Sequence, residues 1–529
     1  EIYMGDWSSD VCSSDLIFGG YIADRFWGNR RSIITGGFLM AIGQFIMFIS
    51  ASLTENIPLA HTVMWAGLIV LILGMGLFKP NISTMVGQLY PQGDRRLDSA
   101  YTIFYMGINL GAFIGPLICG GLGEVRNESG EIVQSAFKWG FMSAGIAMLV
   151  GTLAFIWLKN KYVVDPNGNG IGILPNSSRE DANAITNGPA RESTAGSMSQ
   201  VAIWSLVGIV AILAFRFLGG MDWIGSFIYG VPIAICGLII TDKSLTKIER
   251  GKIIVIFISA FFVIFFWAAF EQAGSSLTLF ADRNTDRRYP IDTNLGTVIL
   301  IILAVAALLY FFLQRIMEIP VELKRIFTGL AIAAVLLAGY HFIQGTPYNL
   351  SEIPASWFNS VNSMWLIIMA PVLAQLWQFL GKKGIEPSSP KKQALGLVSL
   401  MAGYLLIAYG VKDISSSVSM FWLIGLYLLH TIGELCLSPI GLSLVNKLAP
   451  ARFASILMGV WFLSNAVANK FGGKLAALLP SEGKSTSFAG YQINNLYDFF
   501  MVFVVLSGVA AVLLFFLSYW MEKRMGDAK

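Results

Sequence analysis

Lys79 is followed by Pro80 and Asn81 near the middle of an apolar run from about Met64 to Leu89. An unpaired ammonium at membrane depth is costly, so a lysine in such a place is retained for function rather than stability. Two acids sit in comparable settings much later: Glu271, which follows Phe265-Phe266-Trp267-Ala268-Ala269-Phe270, and Glu434, within Ile432-Gly433-Glu434-Leu435. One cation and two carboxylates at mid-span on separate segments predict a polar cavity inside a helical bundle, the anatomy of a transporter. Lys79 suits a substrate carboxylate, since its ammonium offers three donors on a flexible stem. Glu434 suits a substrate amine, and a carboxylate held in a cavity is also a candidate proton carrier. Ser438, four residues on, shares its helical face, and Pro439 next to it opens the local backbone hydrogen bonding.

Other polar residues accompany this set. Tyr105 and Asn109 are one turn apart, so a single face presents a hydroxyl and an amide; Asn362 is a comparable amide in the second half of the chain. Such amides bind a ligand backbone or cross-link helices. Trp267 lies one turn before Glu271 and faces the same way, and Trp461 occupies a similar apolar setting. Each reads as a pocket aromatic or as an interfacial anchor. Lys470 and Lys474 share a face without a clear role.

The elements that position these groups are membrane helices. The 529 residues are 55% hydrophobic and 13% charged, about half the charged fraction of a soluble protein. Apolar runs long enough to cross a bilayer recur at 33–52, 62–89, 99–121, 137–158, 200–217, 223–241, 252–280, 294–315, 326–344, 363–381, 393–411, 418–446, 453–479 and 495–520, after a stub at 16–26. With Asp24 to Arg31 placed in the cytoplasm, about 25 Lys/Arg fall on cytoplasmic loops and about 6 on the opposite ones, as the positive-inside rule requires. The expected location is a bacterial-type inner membrane, with the bilayer as one partner and no nucleic acid. Cys12, Cys119, Cys236 and Cys436 are scattered, and His61, His341 and His430 are too dispersed for a metal site.

The expected organisation is an N-terminal bundle at 17–158, a polar linker at 159–199, a helix pair at 200–241 and a C-terminal bundle at 252–520, with a further pair inserted at about 294–344. Gly168-Asn169-Gly170-Ile171-Gly172 in the linker lacks the strand and helix of a nucleotide loop. Residues 1–16 are polar and acidic, have no signal-peptide layout, and read as a non-native segment. No metalloprotease, catalytic-serine or cofactor fingerprint is present, so an enzyme is not expected, and no cofactor beyond a coupling proton.

Six stretches carry a family resemblance. They are Gly19-Gly20-Tyr21-Ile22-Ala23-Asp24-Arg25 with Gly28-Asn29-Arg30-Arg31; Gly76-Leu77-Phe78-Lys79-Pro80-Asn81; Phe104 to Phe113; Trp267 to Gln272; Gly433 to Ser443; and Leu448 to Phe453 with Met458 to Ser464. In order and spacing the chain resembles the proton-dependent oligopeptide transporters of the major facilitator superfamily, over most of residues 17–520. The resemblance implies an all-α polytopic fold of two bundles, with an extra helix pair between them, and symport of protons with di- and tripeptides. It implies that Glu434 holds the peptide amine, that Lys79 belongs also to the proton-coupling network, and that Glu271 is the acid of an outward gate. Trp267 and Trp461 are similar to pocket-lining aromatics of the family. Asp24, Arg25, Arg30 and Arg31 read as a cytoplasmic latch between helices. Two departures stand out: the family's first helix, with its Glu-x-x-Glu-Arg-Phe, is expected to be missing, and the inserted pair lengthens the gap after Glu271. A relative carrying an amino acid, nitrate or a drug, and a transport-inactive or sensor form, remain as alternatives.

Overall fold

The computed structural model describes residues 22–89, 96–124, 136–164, 170–172, 198–316, 321–350, 352–412, 417–450, 453–480 and 485–526. Two compact units divide the chain: Glu1–Glu124, Val133–Thr285 and Ala355–Lys529 form one, Val125–Ile132 and Asp286–Pro354 the other. Among the described residues, 11 helices are long and apolar enough to cross a membrane.

In the larger unit the first bundle comprises α1 (Gly28–Ser52), α2 (Ile57–Gln88), α3 (Arg96–Gly123) and α4 (Phe137–Tyr162). Its α1 and α2 are pressed together by small residues. A β-carbon on Gly36 would lie 2.6 Å from the Gly74 carbonyl oxygen, and one on Gly74 2.7 Å from the Met40 nitrogen. Membrane helices gain no hydrophobic drive from one another, so close approach through glycine is how this pair obtains its van der Waals contact. Lys79 on α2 stays exposed, clear of that seam. Pro80 sits inside α2, and the Asn81 amide donates to the Leu77 carbonyl at 2.8 Å within the turn that the proline weakens.

A helix pair follows, α5 (Met198–Phe217) and α6 (Trp223–Ile240). The second bundle holds α7 (Lys247–Phe270), the short α8 (Ser276–Asn284), then α11 (Phe358–Lys382), α12 (Ser389–Val411), α13 (Met420–Leu448), α14 (Ala454–Ala476) and α15 (Leu496–Met525). Aromatic rings fill its core: Phe266, Phe280, Tyr404, Tyr427, Phe499, Phe500 and Phe503 are all fully buried. Tyr404 stacks on Phe503 with centroids 4.6 Å apart, an arrangement that adds to the area buried. Gly396 of α12 meets Gly433 of α13 so closely that a β-carbon there would lie 2.8 Å from the Gly433 carbonyl oxygen. That contact fixes the height and rotation at which the next residue, Glu434, is presented.

The span expected at 252–280 is present as Lys247–Asn284, but it is not one uninterrupted α-helix. The α-helix ends at Phe270, a 3₁₀ turn runs Glu271–Gly274, and α8 resumes at Ser276. Such a break is tolerated at membrane depth only where the freed carbonyls find new donors. They do: Gln272 Nε2 donates to Ala268 O and Gly472 O, each at 2.9 Å, and the Tyr404 hydroxyl donates to Ala269 O at 2.6 Å. Gln272 Oε1 in turn accepts from Ser276 Oγ at 2.6 Å.

The smaller unit is a helix pair, α9 (Leu295–Ile316) and α10 (Val321–Gln344), with β1 (Ile291–Asn294) and β2 (Pro347–Leu350) paired antiparallel at its base. Gly296 lets the helices close, since a β-carbon there would lie 2.6 Å from the Ala338 carbonyl oxygen. Below the strands, Ile353 N–H donates to Arg287 O at 3.0 Å, and the buried Arg287 guanidinium meets Glu352 at 3.4 Å. The outer faces of both helices are apolar and exposed, Ile302, Leu330, Leu336 and Ile343 among them, as membrane-immersed helices are.

Candidate functional site

Glu271 opens the 3₁₀ turn at the end of α7. Its side chain is exposed. The cation in electrostatic reach is Lys79 of α2. The two charges belong to different bundles and lie within electrostatic reach of each other, in spans where neither would be stable against lipid. The break in α7 explains the placement: a 3₁₀ turn re-aims the side chain relative to the preceding α-helix. Trp267, expected to face with Glu271, instead joins a ring cluster, edge-on to Phe266 and Phe270 at 5.5 and 5.3 Å; it remains half-buried.

A second polar centre lies on α11 and α13. Asn362 Nδ2 donates to Glu434 Oε2 at 3.2 Å and to the Thr431 hydroxyl at 3.0 Å, and that hydroxyl donates to Tyr427 O at 2.7 Å. Asn362 is half-buried and Glu434 is 8% exposed, so the carboxylate is held by its neighbours with an edge left open. Ser438 is half-buried one turn below, and Pro439 lies within an unbroken α13. Asn109 of α3 is buried. Trp461 is packed against Gly441, where a β-carbon would lie 2.0 Å from its ring, and so belongs to the α13–α14 seam. The side chain of Tyr105 lies outside the described residues, as do those of Asp24 and Arg25.

Arg30 is engaged as a latch. Its guanidinium donates to the carbonyls of Lys159, Val163 and Ile171 and to Asn160 Oδ1, tying the start of α1 to the end of α4. A cation at a helix C-terminus satisfies orphan carbonyls and complements the macrodipole. Arg31 is exposed. Lys470 reaches Asp222, the N-cap of α6, at 3.4 Å, and Lys474 lies over the Tyr229 ring at 5.9 Å. Desolvation pulls the Asp222 carboxyl upward, but the Gly225 N–H and Lys470 outweigh it and leave it below the ordinary carboxylate value. These contacts moor the α5–α6 pair to the second bundle.

Several groups carry the arrangement without any sequence signal of their own. Gln272, Tyr404 and Thr431 sit in apolar runs where they look like ordinary packing residues. Another is Glu124 at the end of α3, whose carboxylate accepts from the N–H groups of Ala355 and Ser356 at 2.7 and 3.0 Å. Trp357 Nε1 donates to Leu117 O at 3.0 Å and Ser360 Oγ to Phe113 O at 2.7 Å. Here the two bundles meet most closely, α3 against α11.

Replacing Gln272 with leucine is expected to lower thermal stability by about 1–3 kcal/mol, because the Ala268 and Gly472 carbonyls lose a buried donor. Charge at Glu271 is untouched by this change, so melting of purified protein should shift while peptide counterflow persists at temperatures below the new transition.

A family model described as the POT family matches residues 30–344 and 338–492. The peptide transporter YePEPT of Yersinia enterocolitica is 30% identical over 471 residues, spanning 86% of this chain and 75% of that protein. A di-/tripeptide transporter of Lactococcus lactis subsp. cremoris is 26% identical over 525 residues, 97% of this chain and 85% of the relative. A crystal structure of a mutant of peptide transporter POT in complex with alafosfalin superposes with a TM-score of 0.67 at 26% identity, covering 98% of this chain and 85% of that one. Two helical bundles and a family match along nearly the whole chain lead to one assignment: the protein belongs to the POT family of proton-dependent oligopeptide transporters.

Proposed function

We propose that this protein imports di- and tripeptides together with protons by alternating access, in an inner membrane with the Arg30 end of α1 in the cytoplasm. The observation that carries the reading is the buried Glu434 carboxylate braced by Asn362 at 3.2 Å, with Lys79 of α2 in electrostatic reach of Glu271 of α7. A cation and a carboxylate within electrostatic reach on different bundles are a switch that a proton can operate, because protonating the carboxylate removes the attraction and changes the relative energy of two conformations. Glu434, braced by Asn362, supplies the anion for a peptide amine, and Lys79 the cation for its carboxylate. In this orientation, the α3–α11 contact at Glu124 lies on the outer side, so the described conformation is closed outward. Rocking of one bundle against the other about a mid-membrane site then exchanges access.

The test is uptake of labelled dialanine into proteoliposomes with an inward proton gradient. Accumulation that collapses with a protonophore and is blocked by unlabelled di- and tripeptides is expected. Accumulation unaffected by peptides but blocked by nitrate or a free amino acid would replace peptide with that solute.

A further inference from the structure

At one end of the larger unit, the first turns of α7 and the last turn of α15 enclose a cleft of about 750 Å³. Four cations line it: Lys247 and Lys252 from α7, Lys523 and Arg524 from α15. Gly251 permits the approach, since a β-carbon there would already touch the Arg524 side chain at 3.4 Å. The acids interleaved with these cations in sequence are turned elsewhere. Glu249 accepts from the Thr246 nitrogen and hydroxyl, each at 2.9 Å, closing the cap of α7. Glu522 pairs with Lys391 at 2.9 Å and accepts from Ser388. Among the described residues, none of the four cations has an ion-pair partner, and Arg524 is held only over the Trp520 ring at 5.1 Å.

Clustering four like charges around one cleft is unfavourable unless a counter-charge occupies it. A nearby cleft shows the contrast. Lined by Lys391, Lys392, Lys447, Glu386 and Glu522, it pairs two of its three cations, through Lys391–Glu522 and Lys392–Glu386. The α7–α15 cleft also lies at the ends of two membrane-length helices, where they reach the headgroup level; Ile248 in its lining is 71% exposed, and Phe516, about two turns further along α15, is 67% exposed. A phosphate among the cations would therefore leave attached acyl chains running along exposed hydrocarbon-facing side chains. We propose that this cleft binds the phosphate headgroup of an anionic phospholipid at the base of α7 and α15. Basic pockets between membrane helices recognise such headgroups through charge and hydrogen bonding together.

The proposal rests on the membrane-embedded fold and not on the substrate or orientation given above, so the two fail separately. Native mass spectrometry of the purified full chain, titrated with phosphatidylglycerol or phosphatidylcholine, tests it. Wild type should take up phosphatidylglycerol preferentially. Lys252→Glu with Lys523→Glu should weaken that binding by roughly tenfold or more, and the neutral pair Lys252→Gln with Lys523→Gln should weaken it less. Lys382→Glu with Lys383→Glu, an equal change of net charge on another helix end, should leave it unchanged. Wild-type lipid affinity in the reversed variant, or equal binding of the two lipids, overturns the proposal. If inorganic phosphate occupies the lipid-free protein as tightly as the lipid does, lipid as the source is overturned.

Discussion

Glu434→Gln should leave a folded protein whose affinity for dialanine falls by about 2–4 kcal/mol, roughly 30- to 1,000-fold, the usual loss when one member of a desolvated charge pair is removed. The amide keeps the shape of the side chain and can still accept from Asn362, which now lies 3.2 Å from the carboxylate. What disappears is the negative charge facing a peptide ammonium. The discriminating control is a peptide acetylated at its amine: it has no ammonium to lose, so its weak binding should be nearly the same in wild type and variant. Isothermal titration in detergent measures both. If acetylated and free peptides lose equally, Glu434 is a structural link between α11 and α13 and not a substrate ligand.

The second large effect is expected at the inter-bundle pair. Glu271→Gln should abolish proton-driven accumulation in proteoliposomes, down to the level of empty vesicles, while counterflow of labelled against unlabelled peptide persists. Counterflow needs only the loaded carrier to reorient, whereas accumulation needs protonation to bias the two conformations differently. Glutamine mimics the protonated acid permanently, so Lys79 loses its pH-dependent partner. Wild-type accumulation in this variant would sink the coupling role of Glu271. Loss of both activities would instead assign it to substrate binding or folding.

Much of this was legible from residue types alone. Lys79, Glu271 and Glu434 stand out because a charge inside an apolar run of spanning length has few reasons to exist. The break after Phe270 was not legible. Phe270-Glu271-Gln272-Ala273-Gly274 continues the apolar run without proline, and the groups that stabilise the break come from Tyr404 and Gly472, far along the chain. The bracing of Glu434 is hidden for the same reason. Thr431 is one polar residue in a long helix, and only the α11–α13 packing brings Asn362 to it. Arg30 reads as a latch from its motif, but three of its four partners are main-chain carbonyls, at 159, 163 and 171, which no side-chain pattern can announce. Trp461 reads in the sequence as a pocket aromatic or an interfacial anchor, and its packing against Gly441, where a β-carbon would lie 2.0 Å from its ring, depends on a partner that the sequence does not announce.

The smaller unit has a consequence for protein engineering. Near the two ends of its Asp286–Pro354 segment the chain is stitched together, Ile353 N–H to Arg287 O at 3.0 Å, with Glu352 neutralising Arg287. A segment whose ends already meet behaves like a plug-in cassette: it can be cut out and the scar closed by a short turn, because the cost of joining nearby ends is small. The same junction offers a port for splicing in a reporter or an affinity handle.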